Sequence, residues 1–245
     1  MEQQPYQPLD HAQPIDLTAE SSRLFMARVF TWMTVGLVLT GITAVLFGTT
    51  ELVNYMVELR VDGSIGMKPL AWIVMLAPFG FILAMNFGFN KFSARGLIGL
   101  FIAFSAVMGM SLYYIFLLYT STSIIQVFFI TAGTFATMAF LGYTTKTDLT
   151  KLGSMLYMAL IGLVIAIVVN MFMGSDSLSY IISCVGVLIF TGLTAYDTQK
   201  LKRIGAGVEF GSATASKLAI LGATSLYLDF INLFLFLLRM LGSRD

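Results

Sequence analysis

The sequence predicts an all-α polytopic membrane protein with seven transmembrane helices. Of its 245 residues, 58% are hydrophobic and only 11% are charged, whereas soluble domains carry about 25% charged residues. The mean hydropathy is +0.86. Seven apolar runs also reach the roughly 17–25 residues that a helix needs to cross a bilayer.

The predicted spans, TM1 to TM7, are residues 25–47, 69–87, 96–119, 124–141, 155–173, 178–196 and 218–241. Residues 1–21 are rich in Gln and Pro, are acidic, and lack the basic start of a secretory signal peptide. We expect them to form a disordered cytoplasmic tail, and residues 22–245 to form one seven-helix transmembrane domain.

The basic residues predict a cytoplasmic N-terminus. With this orientation, ten Lys and Arg residues lie in cytoplasmic segments and four lie in outside segments, which is the bias that the positive-inside rule describes. The longest cytoplasmic connection is then residues 198–216, whose glycines indicate a flexible linker.

Composition excludes several classes of function. The net charge of +1 and the pI near 7.8 argue against a nucleic-acid partner, which needs a basic face. The only histidine, His11, lies in the tail, and the only cysteine, Cys184, lies in an apolar run. His-based metal sites and Ser-His or Cys-His catalysis in the membrane are therefore excluded, and we expect neither enzyme activity nor a cofactor.

Asp229 in the middle of TM7 is the most informative residue, because an acidic side chain at bilayer depth is costly and often lines an ion or proton pathway. Ser225 and Asn232 share its helical face by their spacing. A second acid, Asp197, ends TM6 and shares a face with Thr194.

Other interpretations of these polar residues remain open. Asp197 could be an interfacial residue paired with Lys200 or Lys202. Asp229 could be permanently protonated and hydrogen-bonded to an Asn or Tyr side chain. Ser225 and Asn232 could simply hold helices together.

Two carboxyl groups at close range in a low dielectric tend to share one proton. When deprotonated, they offer oxygen ligands to a hard cation such as Ca²⁺. We therefore predict that Asp197 and Asp229 sense protons, line an ion path and bind Ca²⁺ transiently. Their predicted depths disagree, however, so the pairing requires TM7 to begin above the membrane surface or water to enter from inside.

Two segments around these acids carry a family resemblance. GLTAYDTQKLK (residues 192–202) and LYLDFINLFLFLLRMLG (226–242) resemble the C-terminal signature of the Bax inhibitor-1 family, also called the transmembrane Bax inhibitor motif family. SRLFMARVFTWMTVGLVLT (22–40) and GYTTKTDLTKLG (142–153) extend the similarity over most of the chain. The order of these motifs is most similar to the bacterial inner-membrane branch.

The resemblance implies six helices around a central TM7 in the cell inner (plasma) membrane. It also implies a pH-sensitive calcium leak, in which the acids matching Asp197 and Asp229 form a diaspartyl pair. A basic residue at the cytoplasmic end of TM2 would latch that pair. The matching region reads NKFSARG (90–96), and Lys91 is the nearest candidate.

Two other functions compete with the calcium leak, a non-conducting regulator and an intramembrane protease. Some relatives resemble non-conducting regulators of a membrane-bound quality-control protease, and here the tail and residues 198–216 would contact such a partner. An intramembrane aspartyl protease is less favoured, because residues 226–229 read LYLD rather than the GxGD that such enzymes carry.

Overall fold

The computed structural model describes residues 17–59 and 65–243. Its helices are α1 (Leu17–Thr49), α2 (Pro69–Phe87), α3 (Ala94–Ser111), α4 (Ile115–Leu118), α5 (Ser121–Thr144), α6 (Thr150–Met173), α7 (Asp176–Ala206) and α8 (Ala213–Leu241). A 3₁₀ turn, Leu112–Tyr114, joins α3 to α4, so the two helices form one span, Ala94–Leu118. Within the described residues, seven helical segments are long and apolar enough to cross a membrane, which confirms the predicted number of spans.

The two helices that carry the acids are longer than predicted. α7 continues ten residues beyond residue 196, and α8 begins five residues before residue 218. In the extension of α7, Thr198 and Leu201 are buried whereas Lys200 is exposed, so this polar segment is an amphipathic helix. The predicted flexible linker at 198–216 is therefore wrong. The connection is residues 207–212, and it ends where the Ser212 hydroxyl accepts a hydrogen bond from the Ala215 N–H and caps α8.

The connection between α1 and α2 contains secondary structure that was not predicted. A 3₁₀ helix (Glu51–Tyr55) precedes a β-hairpin made of β1 (Val57–Leu59) and β2 (Ile65–Met67). The strands are antiparallel, with Val57 opposite Met67. The all-α prediction holds for the spans and fails for this connection, because three-residue strands are too short to show an alternating pattern.

The predicted tail, residues 1–21, lies mostly outside the described residues, and so does His11. Its last five residues, 17–21, belong to α1, which begins at Leu17. The acidic Glu20 in this first turn interacts favourably with the positive end of the helix dipole.

The last helix is the most enclosed element of the bundle. In the most apolar 18-residue window of α8, 72% of the residues are buried, compared with 11% for α6. α8 packs against α1, α3, α5 and α7, whereas α6 packs mainly on α7. This burial agrees with a central position for TM7. The enclosure by six helices and the cytoplasmic N-terminus stay predictions.

Candidate functional site

Asp197 and Asp229 lie between the last two spans. Asp197 is nine residues before the end of α7, and the antiparallel α8 brings Ser225 beside it. Ser225 is four residues before Asp229, so the two share a helical face and differ by about 6 Å along the axis. The difference in predicted depth disappears because α7 continues past Asp197 instead of ending there.

Asp197 is held by two hydroxyl groups. The Ser225 hydroxyl donates a hydrogen bond of 2.6 Å to Oδ2, and the Tyr157 hydroxyl on α6 donates one of 3.1 Å to Oδ1. The Asp197 side chain is 2% exposed. Three helices therefore meet at this carboxyl group, which acts only as a hydrogen-bond acceptor.

Asp229 has a different environment. It is 6% exposed, and its Oδ2 atom is buried without a hydrogen-bond partner. Asp229 lies one helical turn beyond Ser225, whose hydroxyl contacts Asp197. No hydrogen bond joins the two carboxyl groups in the part of the chain that the structure describes. A buried carboxyl oxygen without a donor is unfavourable unless it binds a proton, a water molecule or a cation.

A cavity reaches Asp197 from one end of the bundle. It has a volume of about 250 Å³ and is lined by residues of α2, α7 and α8. Its lining runs from Asn86 and Lys200, which are exposed, to Ser225 and the buried Asp197. We call it the inner cavity, because the predicted orientation places this end in the cytoplasm.

Aromatic side chains separate α7 and α8 on the other side of the acids. The rings of Phe190 and Phe236 are stacked with their centroids 5.8 Å apart. Phe190 lies seven residues before Asp197, and Phe236 lies seven residues after Asp229, so the stack is about two turns away from the pair. Asp197 therefore lines the inner cavity, and a stacked pair of aromatic rings lies between the two helices beyond the acids.

The other predicted site residues, Thr194, Asn232 and Lys91, make no hydrogen bond to either acid among the described residues. The Thr194 hydroxyl and the Asn232 amide each donate to a carbonyl of their own helix, Phe190 O and Leu228 O. Lys91 is exposed and is not among the residues that line the inner cavity. Lys200 is the basic residue that does line it.

The ion pair of Asp197 with Lys200 or Lys202, which the interfacial interpretation includes, is not formed among the described residues. Among the described residues, the only ion pair joins Arg203 to Asp148. The Lys202 ammonium instead donates to the Tyr143 carbonyl oxygen at 2.7 Å.

Sequence reasoning missed Tyr157. The segment around it was predicted as TM5 without a role for this tyrosine. The usable signal was a tyrosine hydroxyl near the start of a span, because such a group usually finds a hydrogen-bond partner when buried. The side chain is 39% exposed, so its ring faces outward while its hydroxyl turns toward α7.

A second buried network fixes α8 on the side opposite to the acids. Tyr227 is fully buried, and its hydroxyl lies 2.6 Å from the Thr40 hydroxyl of α1. Thr40 in turn donates to the Ser105 carbonyl oxygen of α3. Tyr227 precedes Asp229 by two residues, which places the two side chains about 200° apart around the helix. The contacts of Tyr227 therefore orient α8 about its axis so that Asp229 faces α7.

Removing the Tyr157 hydroxyl is expected to lower stability slightly. Tyr157→Phe deletes one donor to Asp197 and leaves Ser225 in place, so we expect a loss of roughly 0.5–1.5 kcal/mol in the free energy of unfolding. Thermal unfolding in detergent measures this. Tyr180→Phe is the control, because Tyr180 is an exposed tyrosine of α7. Equal free energies of unfolding for Tyr157→Phe and Tyr180→Phe would contradict a stabilising hydrogen bond from the Tyr157 hydroxyl.

Among the described residues, no group of three or more His, Cys, Asp or Glu side chains could hold a metal ion. Asp197 and Asp229 would offer a cation only two carboxyl groups. Resident Ca²⁺ takes six to eight oxygen ligands, and the transient Ca²⁺ contact of the two acids stays a prediction.

The fold and the site define a polytopic helical membrane protein with two buried acids between its last two spans. The family described as inhibitor of apoptosis-promoting Bax1 matches residues 22–245. The chain belongs to this Bax inhibitor-1 family, as the resemblance predicted.

Similar proteins occur in distant bacteria. The chain is 42% identical over 221 residues to the inner membrane protein YbhL of Escherichia coli strain K12, covering 90% of this chain and 92% of YbhL. It is 43% identical over 235 residues to an uncharacterized protein of Borreliella burgdorferi, covering 94% and 98%. An uncharacterized protein of Rickettsia prowazekii is 42% identical over 228 residues, covering 92% of both chains. The predicted multi-pass location in the inner membrane agrees with the YbhL name and with the seven spans.

Proposed function

We propose that this protein is a pH-sensitive cation leak, with Ca²⁺ as the passing ion, and that the protonation of Asp197 and Asp229 gates it. The observation that carries the proposal is the buried Oδ2 atom of Asp229, which has no hydrogen-bond donor inside a spanning helix. Such a group is retained at a cost to stability, and membrane proteins keep intramembrane acids mainly for ion or proton movement.

The two acids have complementary roles in this proposal. Asp197 is held by Ser225 and Tyr157 as an acceptor, whereas Asp229 carries the proton that the pair shares. Loss of this proton leaves two negative charges within electrostatic range. Their repulsion favours either a cation between them or a movement of α8 relative to α7.

Lys200 is a second candidate for a latch beside Lys91. It lines the same cavity as Asp197, and a positive charge there favours the ionised carboxylate. The Lys200 ammonium lies 6.0 Å from the centre of the Tyr196 ring. Movement of this flexible side chain toward or away from Asp197 would regulate entry from the inner cavity.

The leak is tested with the full chain in liposomes loaded with a Ca²⁺-sensitive dye. We expect the wild-type flux to change between about pH 5 and about pH 8. Asp197→Asn and Asp229→Asn, singly and together, should abolish that change, because neither variant retains a titrating pair. The proposal fails if both single variants keep the wild-type flux and pH response.

Asp148→Asn is the matched control for this experiment. Hydrogen bonds from the Thr150 hydroxyl and backbone N–H, followed by the one from Arg203, lower the pKa of exposed Asp148 to about 2. Because folding lowers this pKa, the ionised Asp148 stabilises the folded state at neutral pH. That stabilisation is lost only as the pH falls below about 3.9 toward 2. Asp148 therefore stays ionised over the tested range, and its variant should keep the wild-type pH response.

Shortening the stacked aromatic side chain is expected to increase the leak. Phe236→Ala removes one ring of the stack with Phe190 and opens space between α7 and α8, so basal flux should rise several-fold. Phe236→Leu keeps an apolar filler and should raise it less. Phe172→Ala is the control, because Phe172 is 81% exposed on α6. A rise in flux for Phe172→Ala as large as that for Phe236→Ala would contradict closure of the ion path by the stacked rings of Phe190 and Phe236.

A non-conducting regulator is the competing function. It predicts liposomes without any Ca²⁺ flux, and co-purified membrane proteins or altered protease turnover that depend on residues 1–20. Deleting those residues without changing either property would count against it.

A further inference from the structure

An apolar groove runs along the bundle between α1 and α5. Both helices pack on α7 and α8 but hardly on each other. The groove has a volume of about 580 Å³, and Phe230 of α8 forms its floor. On α5 the groove is lined in part by small side chains such as Ala132 and Ala136, which leave space beside the helix.

The groove is long enough for a lipid chain. Its lining extends along α1 from Arg23 to Leu37, a rise of about 21 Å. One leaflet supplies about half of the roughly 30 Å hydrocarbon core. A second apolar cavity of about 260 Å³ shares Leu37, Phe128 and Phe230 with the groove and continues it.

A basic pocket adjoins the end of the groove that carries Arg23. It has a volume of about 290 Å³, and Lys146, Lys202 and Arg203 contribute to its lining. Tyr143 lines the groove, and its ring centre lies 4.6 Å from the ammonium nitrogen of Lys202, which lines the pocket.

The charges of this pocket are only partly balanced. Arg203 is paired with Asp148 at 2.8 Å. In the described ranges, no carboxylate lies within 4.0 Å of the charged groups of Arg23, Lys146 or Lys202. One N–H group of the Lys202 ammonium donates to the Tyr143 carbonyl oxygen, which leaves two N–H groups for a ligand.

We propose that the groove and the basic pocket together bind one anionic phospholipid of the adjacent leaflet. Its phosphate would contact Arg23, Lys146 and Lys202, and one acyl chain would lie between α1 and α5. A basic pocket between spans at the membrane surface is the arrangement that recognises anionic head groups. The site is separate from Asp197 and Asp229, and it does not depend on ion conduction.

Native mass spectrometry of the full chain in mild detergent tests this site. Phosphatidylglycerol and phosphatidylcholine with identical acyl chains are the two probes. Each Lys or Arg near a charged membrane surface contributes about fivefold in affinity. We therefore expect wild-type protein to prefer phosphatidylglycerol, and the double variant Arg23→Gln, Lys146→Gln to bind it about 25-fold more weakly.

The groove is tested by a separate variant. Ala136 is exposed on the groove wall, so Ala136→Phe fills the groove without entering the protein core and should weaken binding of both lipids. Arg95→Gln and Ala159→Phe are the matched controls, since both residues are exposed elsewhere on the bundle, and they should bind lipid as the wild type does.

Three results would overturn the proposal. The first is equal affinity for phosphatidylglycerol and phosphatidylcholine. The second is unchanged lipid binding by Ala136→Phe. The third is displacement of bound phosphatidylglycerol by an equal concentration of soluble glycerol phosphate, which would indicate an anion pocket without a chain site.

Discussion

Asp229→Leu is expected to stabilise the protein while abolishing its pH response. The substitution removes a buried carboxyl oxygen that has no donor, and such a group costs roughly 1–3 kcal/mol. We therefore expect the free energy of unfolding to rise by about that amount. Thermal unfolding in detergent and Ca²⁺ flux in liposomes measure the two effects on the same preparation.

Asp197→Leu is the matched comparison, and its effect on stability should have the opposite sign. It leaves the hydroxyls of Ser225 and Tyr157 without their acceptor, so we expect a loss of roughly 1–3 kcal/mol. A loss of stability in Asp229→Leu equal to that in Asp197→Leu would mean that Asp229 is a structural residue. The functional assignment would then lose its main support.

A methyl group at Gly142 is expected to disturb the contact between α5 and α7. A Cβ atom at this position would overlap the carbonyl oxygen of Ala195, and a backbone atom cannot rotate away. We expect Gly142→Ala to lower the free energy of unfolding by roughly 1–3 kcal/mol. Because Ala195 is two residues before Asp197, the displaced α7 should also alter the pH response.

Gly133→Ala provides the control on the same helix. A Cβ atom at Gly133 meets nothing within 4 Å, and alanine favours a helix over glycine by about 1 kcal/mol. This variant should be as stable as the wild type or more so. Equal destabilisation by the two substitutions would contradict a close approach specific to Gly142.

The spans were predictable where a local signal marks their ends. TM2 was predicted at residues 69–87, and α2 has these bounds because Pro69 starts the helix and Gly88 ends it. TM6 was predicted to end at residue 196, because hydropathy falls at Asp197. α7 continues because tertiary contacts support it. The Gln199 amide, for example, donates to the Thr147 carbonyl oxygen and accepts from the Leu149 N–H.

The site was predictable in part for a similar reason. Asp229 is identifiable from sequence because an acid inside an apolar run is costly whatever surrounds it. The partners of Asp197 depend on how α6 and α8 are placed around α7, and no periodicity in the sequence encodes that placement. Tyr157 was therefore missed, and so was the cavity that Lys200 and Asp197 both line.

In the proposed leak, Asp197 and Asp229 exchange a proton as a unit when the protein changes state. Infrared spectroscopy of the reconstituted protein follows this exchange through the absorption of protonated carboxyl groups between about pH 5 and about pH 8. We predict a band whose intensity changes in parallel with Ca²⁺ flux, and we expect this pH-dependent change to be lost in both Asp197→Asn and Asp229→Asn. A band that stays constant over this range while the flux changes would rule out gating by a proton on Asp197 and Asp229.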